Sequence, residues 1–390
     1  MWLLIFTIIP GITTYYSFFS NDAGKAYEQS VENGVKIDAL VEEILSRNKL
    51  DNTAKKFTKE QLDIFAKSLT EFSNSKLNTG IAELYLLDYS KALKSFSEAI
   101  SLDKKNGKAY FYRGLTLYQE NFNPRVNSEI YYDYTKKVNL NSLNKMIKDF
   151  GESIITIPTL IDAYFYRGTL YEYQGKYKEA LIDLNFAINN SPNDSYYLNN
   201  RGVIYSNLGH SNNDQLSLMK ALSDFSKAIN LKPRKSLYYF NKGLVYTRLG
   251  DYREDLKFYS RAIELNPVYT RAYFNRGATF KLLKKYDLAI AEFDTVISID
   301  KDYEIAYLVK GECFFETGKF QDACETWKFL AKINPNYKTV YRNIGDSMFA
   351  LKKFQEAIKF YEMELARNPD DIYAKTKLKN TSNYLKNNGN

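Results

Sequence analysis

The stretch that decides the fold is Ile161–Asp194, which reads IDAYFYRGTLYEYQGKYKEALIDLNFAINNSPND. Small and aromatic residues recur in it at helical spacing, in two sets separated by Gly175. The two sets are Ala163, Tyr164, Gly168 and Tyr171, then Tyr177, Ala180, Leu184 and Ala187. Pro192 follows the second set, where a proline can no longer extend a helix. Because small residues let two helices cross closely, the stretch predicts a packed helical hairpin.

The same pattern recurs along the chain with a period of about 34 residues. Six of the eight prolines follow it, at spacings of 34, 41, 34, 68 and 34 residues: Pro158, Pro192, Pro233, Pro267, Pro335 and Pro369. Glycines keep the same register at Gly114, Gly168, Gly202, Gly243, Gly277, Gly311 and Gly345. A fixed period of this length is typical of stacked helical hairpins, in which each hairpin covers the apolar face of its neighbour.

These residues resemble the tetratricopeptide repeat family. The pattern is clearest in Ser236–Tyr269, Thr270–Tyr303, Glu304–Tyr337 and Lys338–Asp371. Asp255 departs from it, because the family usually has a small alanine there, and Lys301 stands where proline is usual. We count about eight units. The resemblance implies an all-α fold, a right-handed superhelical solenoid with an N-terminal helical cap and a C-terminal capping helix.

The sequence is therefore expected to divide into four segments. They are a hydrophobic anchor or signal segment at 1–20, a helical cap at 21–72, the repeat solenoid at 73–371, and a capping helix with a disordered tail at 372–390. Two repeats are longer than the period, which predicts insertions near 121–141 and 211–217. The second insertion, SNNDQLS, is expected to be a polar stretch between two helices.

The first twenty residues, MWLLIFTIIPGITTYYSFFS, contain no charged side chain. A helix of this length just spans the hydrocarbon core of a bilayer. No lysine or arginine precedes the apolar run, and no small-residue cleavage site is evident, so a membrane anchor at Met1–Phe19 is favoured over a secretion signal. We therefore expect membrane association through this segment. A secreted or periplasmic protein and an apolar segment buried against a partner subunit remain as alternatives.

Composition argues against several classes of function. The net charge is +8, from 54 basic and 46 acidic residues that alternate along the chain, so we do not expect a nucleic-acid interface. His210 is the single histidine, and Cys313 and Cys324 form no CxxC motif, so neither a metal site nor a cofactor is expected. The chain also lacks a glycine-rich phosphate loop and a nucleophile elbow, which predicts that it is not an enzyme.

Four arginines immediately precede repeat glycines, at Arg113, Arg167, Arg201 and Arg276. Such a row of cations could bind a polyanion. We favour a structural role, in which each arginine packs its methylene stem between hairpins and hydrogen-bonds within the fold.

The resemblance also implies where partners bind. In the tetratricopeptide repeat family the first helices of successive repeats line a concave groove. The matching positions here include Phe111, Leu115, Phe165, Thr169, Asn199, Phe240, Leu244, Arg271, Phe274 and Lys281. Such a largely apolar groove suits a docked helix or extended segment. The family's clamp for chaperone carboxylates is disfavoured, because the Lys/Asn pair is missing and Arg271 lacks its basic partner.

A second candidate contact surface is the insertion near 121–141, which carries Tyr131, Tyr132 and Tyr134 beside acidic residues. Loops of this length are either functional or disordered, and both readings stay open. The function predicted from the sequence is a membrane-anchored scaffold that binds protein partners through its groove and assembles a complex. The alternatives are a secreted or soluble peptide-binding adaptor and a non-catalytic subunit of an enzyme complex.

Overall fold

The computed structural model describes residues 59–122 and 138–388. These residues form seventeen α-helices and no β-strand, which confirms the all-α prediction. In chain order the helices make eight successive pairs and one final single helix, in agreement with the predicted number of repeats. The chain divides into two compact units, Met1–Ile204 and Tyr205–Asn390, which are considered separately below.

The first unit is built from six helices and the beginning of a seventh. They are α1 (Lys59–Tyr85), α2 (Tyr89–Leu102), α3 (Gly107–Phe122), α4 (Leu140–Thr156), α5 (Ile161–Tyr173), α6 (Tyr177–Asn190) and the first part of α7 (Ser195–Asn212). Among α1 to α6, each helix packs against the one that follows it in this series. The second helices of the hairpins supply the most deeply buried side chains, Phe96, Phe150 and Leu184.

The second unit continues the pattern with ten complete helices after the end of α7. They are α8 (Gln215–Leu231), α9 (Ser236–Leu249), α10 (Tyr252–Leu265), α11 (Thr270–Leu282), α12 (Tyr286–Ile299), α13 (Glu304–Glu316), α14 (Phe320–Ile333), α15 (Val340–Ala350), α16 (Phe354–Arg367) and α17 (Ile372–Asn388). Each of them packs against the next. One buried ring per second helix recurs every 34 residues, at Phe225, Tyr259, Phe293, Trp327 and Tyr361.

The repeat glycines are required by these rings. A Cβ atom built on Gly243 would lie 2.8 Å from Tyr259, and one on Gly345 would lie 2.7 Å from Tyr361. Contacts this short are not tolerated, so the first helix of the hairpin approaches the ring only where its residue has no side chain. The glycines and the aromatic rings therefore recur with the same period because each glycine packs against one ring of its own hairpin.

The predicted boundary between cap and repeats is not seen. Helix α1 runs without interruption through residues 72 and 73, so the end of the expected cap and the start of the first repeat belong to one helix. Ser73 Oγ donates to the carbonyl oxygen of Ala99 at 2.8 Å, and Asn106 Nδ2 donates to Ser73 Oγ at 2.8 Å. These bonds tie the middle of α1 to α2 and to the turn that follows it. Residues 21–58 of the expected cap lie outside the described residues.

The insertion expected at 211–217 is helical rather than a polar loop. Helix α7 continues through Asn212 and α8 begins at Gln215, so only two residues separate them. Asp214 fixes this junction, because its Oδ1 accepts from the backbone N–H of Leu216 at 3.0 Å and so caps α8. The extra residues lengthen α7 and α8 to 18 and 17 residues, against 13 and 14 in α11 and α12. At the C-terminus, α17 occupies nearly all of the segment expected to hold a capping helix and a tail.

The prediction that the chain is membrane-associated is wrong for the residues that the structure describes. Across 59–122 and 138–388, no helix combines the length and the apolar character needed to cross a bilayer. The longest, α1, has 27 residues and carries charged side chains such as Lys67, Glu71 and Lys76, whose burial in lipid would be costly. The predicted anchor Met1–Phe19 lies outside the described residues, and we assign no membrane association to the chain.

Candidate partner-binding groove

Six of the ten predicted groove residues are buried in the structure. Phe111, Leu115, Phe165, Thr169, Asn199 and Phe240 are between 1% and 8% exposed. The ring of Phe240 shows why: its centroid lies 5.8 Å from that of Tyr259 in the same hairpin and 5.0 Å from that of Tyr269, just before the next hairpin. Such a side chain joins two hairpins and has too little free surface to anchor a partner directly.

The same joint recurs in the first unit. Phe165 on α5 lies 5.1 Å from Tyr197, which belongs to the following hairpin, and Phe111 on α3 lies 6.1 Å from Tyr166 on α5. These aromatic contacts hold consecutive first helices at a fixed separation. The buried residues therefore join consecutive hairpins and leave little surface for a partner.

The other four predicted residues keep accessible surface. Arg271 is exposed, and Leu244, Phe274 and Lys281 are half-buried. The guanidinium of Arg271 lies over the Phe240 ring at 5.0 Å, and Lys281 forms an ion pair with Glu312 on α13. Direct binding by these four residues stays a prediction. The predicted contact residues Tyr131, Tyr132 and Tyr134 lie outside the described residues.

A cleft of about 150 Å³ opens between α13, α14 and α15 in the second unit. We call it the acidic cleft, and its lining consists of Glu312, Phe315, Glu316, Trp327, Asn343 and Asp346. These residues are absent from the sequence-based set, although the signal for three of them was present. Glu312 and Phe315 follow Tyr307 by five and eight residues, as Leu115 and Tyr118 follow Tyr110, and Asp346 follows Tyr341 by five.

Hydroxyl groups hold one carboxylate of the acidic cleft in place. Tyr361 Oη donates to Asp346 Oδ1 at 2.7 Å, and Tyr373 Oη of α17 donates to Asp346 Oδ2 at 2.8 Å. Burial, reinforced by the charge of Asp346, raises the pKa of Tyr361, so its hydroxyl remains a donor at all physiological pH values. Lys377 Nζ lies 3.7 Å from Asp346 Oδ1. The C-terminal helix thus supports the wall of the cleft.

The arginines that precede the repeat glycines are held inside the fold. Arg113 pairs with Asp149, Arg167 with Asp183 and Arg276 with Glu292, each at 2.7 Å, and Arg201 Nη1 donates to Asn185 at 2.8 Å. Three of these cations reach the preceding hairpin: Arg201 does so through Asn185, Arg276 Nη1 donates to Ser260 at 3.0 Å, and Arg113 Nη1 donates to Ser97 at 3.4 Å. Three of the four arginines are thus paired with carboxylates inside the fold, which agrees with the structural role predicted for the row.

The two cysteines and the histidine differ in their exposure. Cys313 and Cys324 are free and fully buried, and burial raises the pKa of Cys313 to about 11, so the thiol stays protonated. His210 is exposed on the last turn of α7. Within the described part of the chain, no group of histidine, cysteine or acidic residues is arranged to hold a metal ion.

Comparison with known proteins agrees with this architecture. Residues 237–269, 270–303 and 308–372 match models of the tetratricopeptide repeat. Together with the eight helix pairs and their 34-residue register, these matches support assignment of the chain to the tetratricopeptide repeat family. No curated protein matches the chain.

Several solved structures are similar to this chain. PilW, described as a widely conserved type IV pilus biogenesis factor, is 19% identical, with a TM-score of 0.48 over 56% of this chain and 99% of that one. A tetratricopeptide repeat protein from Parabacteroides merdae is 20% identical, with a TM-score of 0.44 over 69% and 98%. YrrB, described as having an unusual peptide-binding site, is 19% identical, with a TM-score of 0.42 over 50% and 97%. Such distant likenesses do not bear on what this chain binds.

Proposed function

We propose that this chain is a protein-interaction scaffold, which binds segments of partner proteins along the first helices of its repeats and so assembles a complex. The observation that carries the proposal is the difference in exposure between neighbouring side chains along these helices. Large aromatic side chains such as Phe240 are buried between consecutive hairpins. The side chains beside them keep accessible surface, at Leu244, Phe274, Lys281 and Arg271.

This arrangement favours binding because the accessible side chains stand on a rigid support. The ring of Phe274 lies 5.6 Å from Phe293 and 5.4 Å from Tyr303, so it is held by its own hairpin and by the start of the next. A surface that is already ordered loses little conformational entropy when a partner docks. A partner segment that crosses several first helices would meet such residues one repeat apart.

We also propose that the chain acts by binding and has no catalytic turnover. The support for this is chemical. The two thiols are buried and protonated, and the one histidine lies on an exposed helix end. Neither arrangement supplies an activated nucleophile or a general base in a cleft.

Site-specific photo-crosslinking in the native host tests the proposal. A photoreactive phenylalanine analogue would replace Leu244 or Lys281 on the first helices, and Leu288 or Glu356, which are exposed on second helices, as matched controls. We expect partner adducts from the first-helix positions and none from the controls. Adducts confined to Leu288 and Glu356, or none from either set, would contradict the proposal. Circular dichroism of each variant verifies that helix content is unchanged.

A further inference from the structure

The acidic cleft has the size of one side chain. Its volume of about 150 Å³ falls well below the roughly 300–1,000 Å³ of sites that enclose a small-molecule ligand. A metabolite would therefore leave most of its surface in solvent. A single long side chain projecting from a partner backbone would fill the space and remain attached to a larger contact surface.

The charge of the cleft selects a cation. Three carboxylates and one carboxamide line it, from Glu312, Glu316, Asp346 and Asn343, and no lysine or arginine is part of the lining. These carboxylates do not form a metal-binding group, since none exists among residues 59–122 and 138–388. An organic cation, spread over a larger volume than a metal ion, fits widely spaced acceptors of this kind.

The protein's own lysines already occupy the two ends of this acidic surface. Lys281 pairs with Glu312 at one end, and Lys377 lies near Asp346 at the other. Glu316 lies on the exposed rim, and within the described structure no ion pair joins it to another residue. The negative charge that remains for an incoming group is therefore centred on Glu316.

The ring that distinguishes arginine from lysine is that of Phe315, which is half-buried, whereas Trp327 is only 3% exposed and packs against it. The centroids of Phe315 and Trp327 lie 5.9 Å apart with an interplanar angle of 37°, and Trp327 Nε1 donates to the carbonyl oxygen of Leu308 at 3.0 Å, which fixes the indole. A planar guanidinium stacks on such rings while it bonds to carboxylates, whereas an ammonium group prefers water. The chain uses this contact elsewhere, with Arg367 over the ring of Tyr341 at 4.4 Å.

From this lining we infer that the acidic cleft receives one arginine side chain of an extended partner segment, with the guanidinium bonded to Glu316 and stacked on the ring of Phe315, which Trp327 supports. The inference rests on the proposed scaffold function and adds the chemical class of the partner. It predicts that recognition depends on both the charge and the planarity of the inserted group.

Peptide binding to the full chain tests this inference. The probes are fluorescein-labelled, amidated peptides of glycine and serine with one central arginine, lysine or citrulline, the last being planar but neutral. Fluorescence anisotropy gives their affinity up to about 5 mM, the range of a single side-chain anchor. We expect the arginine peptide to bind roughly ten-fold more tightly than the citrulline peptide, because its hydrogen bonds to carboxylate are charge-assisted.

Two variants locate the site. Glu316→Gln should abolish the preference for arginine over citrulline, and Glu356→Gln, which removes another exposed charge, from α16, should preserve it. The chain contains two tryptophans, so Trp2→Phe leaves Trp327 as the only indole, and its emission should change as the arginine peptide binds. Equal affinity for arginine and citrulline, equal affinity for arginine and lysine, no binding, or an unchanged preference in Glu316→Gln would each overturn the inference. If crosslinking from Leu244 and Lys281 succeeds while these peptides fail, the scaffold function stands and the arginine subsite is wrong.

Discussion

Replacing Asp255 with asparagine is expected to remove a pH dependence of stability from the second unit. Asp255 is 0% exposed on α10, at the position where the family usually has alanine. Its Oδ2 accepts from Thr247 Oγ1 at 2.9 Å and from Thr279 Oγ1 at 3.0 Å. Its Oδ1 has no hydrogen-bond partner within the described structure. Burial, opposed by the two hydroxyl bonds, raises the pKa of Asp255 from 3.8 to about 6.

This pKa fixes both the sign and the size of the effect. Below pH 3.8 the carboxyl is protonated in the folded and the unfolded chain, and it contributes no pH dependence. Between pH 3.8 and about 6 the folded chain holds a proton that the unfolded chain has lost, so stability falls as pH rises. Above about pH 6 the full cost of the buried charge is present, about 3 kcal/mol for the rise in pKa.

Urea denaturation followed by circular dichroism, from about pH 4 to about pH 8, measures this cost. The quantity of interest is the unfolding free energy of Asp255→Asn minus that of the native sequence, because other titrating groups cancel in the difference. We expect the difference to increase by about 2.5 kcal/mol from about pH 4 to about pH 8, because at about pH 4 the unfolded carboxyl is already partly ionised and part of the cost is already present. Glu356→Gln, which changes an exposed carboxylate, should give a flat difference. A flat or falling difference for Asp255→Asn would refute the reasoning.

Two further predictions concern packing and reactivity. Gly311→Ala should lower stability by about 1–3 kcal/mol, because the new Cβ would lie 2.2 Å from Trp327 Nε1, whereas Gly151→Ala, with its nearest neighbour at 3.8 Å, should be neutral or stabilising in thermal melts. Equal losses in the two variants would show that the ring contact is not the cause. Cys313 and Cys324 should not react with a thiol reagent in the folded chain and should both react in urea, because both are buried and burial raises the pKa of each thiol. Rapid labelling of the native protein would disprove their burial.

The local repeat was readable from the sequence because each hairpin depends mainly on its neighbours. Spacing between prolines located the helix pairs, and the glycine register located the close approaches to rings such as Tyr259. The residues at which individual helices begin and end were harder to predict from the sequence. Asn212 and Gln215 lie in helices although their polar surroundings favoured a loop, since polar side chains on an exposed helix face cost little.

The sequence by itself determined that paired helices repeat every 34 residues, because small residues and rings at a fixed spacing permit only one close packing. Only the tertiary structure decided which of the predicted groove residues are exposed. In the sequence, Phe240 and Arg271 look equally suited to contact a partner. In the structure, Phe240 is buried between Tyr259 and Tyr269, whereas Arg271 is exposed. The acidic cleft likewise needs side chains from three helices, and the distance between such side chains is set by packing rather than by their separation along the chain.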